Sequence, residues 1–201
     1  MVDAVIARFS STPWCNAYIT SPNWALANTA SRVPKPTSED SFFAETLGTS
    51  RTIRAVLTLR PTKELEDGNA LGDMTYGEVV TMMELGDGLN GHPRIAHGGF
   101  IATMLDEVMG VLLTLNIEAR VKRKRDMGVL GSDEAMNGFT AYLNTSYKKP
   151  LPTPGIVLCT AKFERREKNK IYVQGTIEDG QGTVFTIGEG MFVEVNMKNR
   201  L

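Results

Sequence analysis

Two features that could act together on a polarised carbonyl lie eight residues apart in one apolar stretch. Gly98 and Gly99 follow His97 where a helix should begin, and Asp106 falls on the margin of that helix's apolar stripe. The first N–H groups of a helix have no intrahelical acceptor, and the helix dipole places partial positive charge behind them. Bare glycines there would let a bulky acyl group bring its oxygen to the backbone, so the pair is a candidate oxyanion site. The plainer alternative is a tight turn. At 100° per residue Asp106 lies beside Ala102, Met109 and Leu113, whereas Glu107 points near Thr103 and Gly110. A carboxylate at the edge of a buried stripe is costly unless it is paired, neutralised or used. Its alternative role is to be satisfied by the backbone of a neighbouring strand. Gly98 and Asp106 stand about 12 Å apart along the helix, too far for both to reach one carbonyl carbon. Two copies with these helices antiparallel across a two-fold axis would bring Gly98 of one to Asp106 of the other.

Other chemistries fit less well. Gly86-Asp-Gly88-Leu-Asn-Gly91 matches GxGxxG, but His92-Pro93 follows it and no helix opens on its last glycine, which argues against a dinucleotide site. A GxSxG elbow is absent, and neither Cys15 nor Cys159 has a histidine near it in sequence. His92, His97 and Asp106 match no metal-ligand spacing, so no metal is expected.

The elements that must position these residues follow from periodicity. Ile101, Met104, Leu105, Val108, Met109, Leu112 and Leu113 keep the i, i+3, i+4, i+7 pattern of a largely buried helix. Alternation of Ile53, Ala55, Leu57 and Leu59 predicts a strand over 51–60, and 76–85 reads as a second. Residues 138–147, 155–165, 170–178 and 183–195 read as a four-strand meander. Asp40 or Ser41 could cap a short helix ending at Leu47. The stretch 1–40, rich in Ser, Thr, Asn and Pro, reads as an irregular arm whose Trp14, Tyr18 and Trp24 pack on something. Residues 1–70 are thus expected to be an arm with one short helix and a strand, and 71–201 the main domain, interrupted by a polar segment at about 117–137. That segment carries Arg120, Lys122, Arg123, Lys124 and Arg125, which read as a solvated surface insertion or a helical extension. Strands, one buried helix, then strands predict an α+β fold with an antiparallel sheet on the helix.

The 201 residues suffice for a real core, and 42% hydrophobic with 22% charged residues is the balance of a globular domain. Lys plus Arg (22) nearly equals Asp plus Glu (23), so no basic field draws the chain to nucleic acid. No uninterrupted apolar run of about 20 residues is present, Asp106 and Glu107 breaking the best candidate, so no membrane span is expected. Two cysteines without a pairing pattern suggest a reducing, cytoplasmic setting. Residues 1–12, with Arg8 and three Ser/Thr but also Asp3, leave a mitochondrial presequence as the alternative.

His97-Gly-Gly-Phe-Ile-Ala-Thr-Met-Leu-Asp106, followed by Asn144-Thr-Ser-Tyr147-Lys-Lys-Pro150, resembles the signature of hotdog-fold acyl-CoA thioesterases of the PaaI and THEM4-like group. The resemblance covers about residues 76–195. It implies a long helix wrapped by an antiparallel sheet, assembly as a homodimer or tetramer, and active sites at the dimer interface. It also implies that Asp106 is the catalytic carboxylate, that the Gly98 N–H polarises the thioester carbonyl, that His97 orients that loop, and that Thr140 positions water. Asn90 corresponds to an asparagine often held in the same loop; otherwise it is a turn residue before Gly91. Gly99, Lys148 and Lys149 are candidate substrate contacts, the lysines toward the phosphates of coenzyme A or an acidic carrier protein. No cofactor is implied beyond coenzyme A as part of the substrate. Two rival readings keep the fold: a dehydratase, isomerase or lyase on an acyl or polyketide substrate, and a non-catalytic acyl-CoA-binding module.

Overall fold

A computed structural model describes residues 2–65, 74–128 and 138–195. Helices α1 (Val2–Ser10) and α2 (Pro13–Ile19) are followed by β1 (Trp24–Ala27), β2 (Ile53–Pro61), β3 (Glu78–Leu85) and a small hairpin, β4 (Asn90–His92) with β5 (Ile95–Ala96). Helix α3 (Gly98–Asp126) then leads to β6 (Gly138–Tyr147), β7 (Gly155–Glu167), β8 (Lys170–Glu178) and β9 (Val184–Glu194). Seven strands form one antiparallel sheet in the order β1-β2-β3-β7-β8-β9-β6, wrapped around α3. Its α+β class is the expected one.

Helix α3 is the core of the molecule. Ile101, Met104, Leu105, Val108, Met109, Leu112 and Leu113 are all buried, as their spacing predicts. The sheet closes tightly over them because three strand positions lack side chains: a Cβ at Gly188 would meet Leu105 Cδ1 at 2.8 Å, and one at Gly190 would meet Met109 Sδ at 2.6 Å. Gly175 faces the same two side chains. By length and composition α3 could cross a membrane, but here it is the core helix, with ten of its residues buried. Asn116 lies inside the helix rather than opening a polar segment. Its Oδ1 accepts from the Thr75 and Tyr76 N–H groups (2.6 and 2.8 Å), and its Nδ2 donates to the Tyr76 and Leu112 carbonyls. Every polar atom of that buried amide is therefore used. The basic residues 120–125 form the last two turns of α3 as a helical extension, with Arg123 held by Glu64 and Thr75; 129–137 lie outside the described residues.

Three expectations are corrected. The final strands are not a simple meander: β6 pairs with β9 at the sheet edge, and β7 inserts against β3. Strand succession reads local order, whereas sheet order is set by pairings between distant segments. The stretch 1–40 is not an irregular arm but holds α1, α2 and β1, and β1 and β2 belong to the same sheet as the rest. The aromatics of this stretch do pack: Phe9, Trp14, Tyr18 and Trp24, with Cys15, cover the outer sheet face at Leu57, Leu59, Val80, Met82 and Leu158. A bulge between Ile53 and Ala55 shifts the parity of β2, so Ile53 faces the α3 core while Ala55, Leu57 and Leu59 face the outer one. The GxGxxG match also receives a structural account. A Cβ at Gly86 or Gly88 would stand 2.3 or 2.7 Å from the Arg51 carbonyl oxygen, so both glycines serve a close backbone approach.

Candidate active site

The hairpin β4–β5 delivers the chain to the start of α3. His97 caps that helix, its Nδ1 accepting from the Gly99 N–H at 3.0 Å. An acceptor at Nδ1 leaves the proton of the neutral ring on Nε2. Gly91 allows this corner, since a Cβ there would lie 3.0 Å from His97 Cα. The Gly99 N–H is thus taken by the cap. The Gly98 N–H has no acceptor among the described residues and sits at the positive end of a 29-residue helix.

One strand reaches both ends of the reactive stretch. On β6, Thr140 Oγ1 donates to Asp106 Oδ1 at 2.8 Å, and Tyr147 Oη donates to the Gly98 carbonyl at 2.8 Å. Thr140 is therefore brought to Asp106 across the intervening polar segment. Asp106 is half-buried, and its Oδ2 has no hydrogen-bond partner among the described residues. The carboxylate is held by one oxygen and open at the other, as a base or nucleophile must be. Within one chain Gly98 and Asp106 remain eight helical residues apart, about 12 Å.

The other candidates lie around this pair. Asn90 Oδ1 accepts from the Thr153 hydroxyl, tying the hairpin to the 151–154 loop. Lys148 and Lys149 directly follow Tyr147; their backbone N–H groups share the Phe185 carbonyl, and their exposed side chains make no ion pair among the described residues. No cluster of metal-ligating side chains occurs among the described residues.

Two further groups escaped the sequence reading. Tyr147 was visible as part of a motif but not as the anchor of Gly98. Glu107, beside Asp106, is half-buried under the segment 28–40, where Ser31 Oγ donates to its Oε1. Burial pushes its carboxyl up to about 7, opposed by the Ser31 hydrogen bond and helped by the nearby negative charges of Asp40 and Asp106. The helical wheel put Glu107 at the stripe margin but could not show that a segment far upstream in the chain covers it.

Residues 94–186 match the Thioesterase superfamily family profile. The chain is 28% identical over 133 residues to the acyl-coenzyme A thioesterase THEM4 of Mus musculus, covering 64% of this chain and 50% of that protein. It is 24% identical over 169 residues to Verlamelin biosynthesis protein B of Lecanicillium sp, covering 78% and 73% respectively. The chain thus spans about half the length of the THEM4 proteins it matches. Among solved structures, zebra fish thioesterase superfamily member 2 superposes with a TM-score of 0.52 at 14% identity, over 83% of this chain and 93% of that one, a likeness of fold. Residues 94–186 are thus similar to the thioesterase superfamily, and the antiparallel sheet wrapped around α3 is the hotdog architecture that the motifs' resemblance to the PaaI/THEM4-like group implies.

Proposed function

We propose that this chain hydrolyses an acyl thioester, with coenzyme A or an acyl carrier as the thiol half, to a carboxylic acid and a free thiol. The observation that carries the reading is the Thr140–Asp106 hydrogen bond, which fixes a half-buried carboxylate by one oxygen and leaves the other open. Asp106 Oδ2 takes a proton from water as the water oxygen adds to the thioester carbonyl carbon. The developing oxyanion is held by the Gly98 N–H and the α3 dipole of a second copy. Collapse breaks the C–S bond, and the proton returns from Asp106 to the departing sulfur. The reaction consumes only the thioester and water. Similarity to proteins named acyl-coenzyme A thioesterase supports the same reaction class.

The second copy is required by distance, and β6 offers a place for it. Its outer edge is unpaired among the described residues, and Phe139 and Tyr142 are exposed there. Lys148 and Lys149 lie at the end of the same strand, suited to the phosphates of coenzyme A. The test is thiol release from short, medium, long and aromatic acyl-CoAs. Turnover of at least one supports the reading; tight binding without release from any would replace it with a binding module.

A further inference from the structure

The segment between β1 and β2 crosses the open side of α3 instead of leaving it bare. Thr29 Oγ1 shares a hydrogen bond with Thr58 Oγ1 (2.7 Å), and Arg32 donates to the Phe43 and Ile53 carbonyls, which fastens the segment at two points. Ser31 reaches Glu107 on the helix. Beneath this strap lies a cavity of about 280 Å³, lined by Asn28, Ser31, Lys35, Asp40, Glu107 and Gly110, among others. Glu107 directly follows Asp106 in α3, and Gly110 stands one turn beyond it, so the cavity lies along the same turns of the helix as Asp106, which is not itself in its lining.

Two independent features bear on what it could take. Gly110 stands inside a long unbroken helix, at a cost of about 1 kcal/mol relative to alanine. No close packing among the described residues explains it, because a Cβ there would meet no atom of theirs within 4 Å. The walls, moreover, are rich in acceptors. Glu39, Asp40 and Glu107 face a single lysine, Lys35, whose Nζ is already shared by Glu39 (2.9 Å) and Asp40 (2.5 Å). A long saturated chain would have to strip water from these carboxyl groups without replacing their hydrogen bonds, whereas hydroxyl or ammonium groups would satisfy them.

We propose that this cavity is the acyl pocket of the site at Asp106 and that it selects short acyl groups bearing hydrogen-bond donors, hydroxyl or amine, over saturated chains of equal length. The proposal rests on the thioesterase reading above, so its test separates the two. Affinity is measured by calorimetry on the intact protein with non-hydrolysable CoA thioethers carrying butyl, hydroxybutyl or aminobutyl groups, and kcat/KM with the corresponding thioesters. The donor-bearing analogues are expected to bind about tenfold or more tightly than butyl. Gly110→Leu, which plugs the pocket from an open position, should abolish that preference while leaving the urea-unfolding curve and assembly size unchanged. Glu107→Gln should weaken the aminobutyl analogue most. Equal binding of the three analogues would overturn the pocket assignment whatever the catalytic result. Dissociation of the Gly110→Leu assembly would also overturn it, by giving the space to a second copy. A clear binding preference with no thioester turned over would instead leave the pocket standing and remove the catalytic role of Asp106.

Discussion

Asp106 and Glu107 are neighbours on one helix with different surroundings, and the difference sorts their roles. Asp106 is held by the Thr140 hydroxyl at 2.8 Å with its other oxygen open, an arrangement suited to chemistry. Thr140→Val removes the hydrogen bond while keeping the shape, so kcat should fall roughly tenfold or more with KM changed less than about threefold. A change in KM alone would assign Thr140 to binding. Glu107 is a carboxyl that burial has raised from 4.5 to about 7. The folded chain therefore binds more protons than the unfolded one between those values, and the associated stability, complete below pH 4.5, is lost as pH rises through about 7. Glu107→Gln, neutral throughout, should gain on the native protein between pH 5 and pH 8 by up to about 3 kcal/mol. Urea unfolding at the two pH values checks this, and an equal difference at both would contradict it.

At the scale of elements, α3 and β6 make the site. Helix α3 was legible because its apolar positions repeat with period 3.6, and its start because that pattern opens just after His97 at two glycines; the His97 cap itself was not. The place of β6 was not legible: nothing local in 138–147 distinguishes pairing with β9 from pairing with β7, and only that choice lays Thr140 and Tyr147 along α3. Asp106 and Gly98 could thus be singled out from the sequence, and Thr140 only by resemblance. The acyl-side cavity could not be foreseen, because its walls come from α3 and from the distant segment 28–40. Asn116 shows how an element is fastened at a distance: its amide takes the Thr75 and Tyr76 N–H groups into the buried helix. Asn116→Ala would leave those two donors buried and unpaired, a loss of about 2–5 kcal/mol in thermal or urea unfolding. A loss below about 0.5 kcal/mol would mean that water replaces the amide.

At the scale of the whole molecule, the chain leaves few faces for a second copy. Helices α1 and α2 cover the outer face of β2, β3 and β7, with Arg8 Nη2 donating to Glu84 Oε1 at 2.7 Å on that side. Among the described residues the outer edge of β6 remains unpaired, and Gly98 and Asp106 are held by that strand's Tyr147 and Thr140. If each site takes its Gly98 from one copy and its Asp106 from the other, a mixture of Asp106→Asn and Gly98→Val chains regains activity that neither has alone. Random exchange into pairs gives one intact site in half of them, about a quarter of the native rate. No recovery in the mixture, with exchange verified by mass, would contradict a shared site.

The most direct test is a thiol-release assay comparing the native protein with Asp106→Asn on one acyl-CoA that the native protein turns over, with unfolding curves of both. The account predicts a loss of at least about a hundredfold in kcat in a variant that is folded and assembled like the native protein. A folded variant that retains near-native turnover would contradict it, and would place the reacting carboxylate elsewhere in the chain.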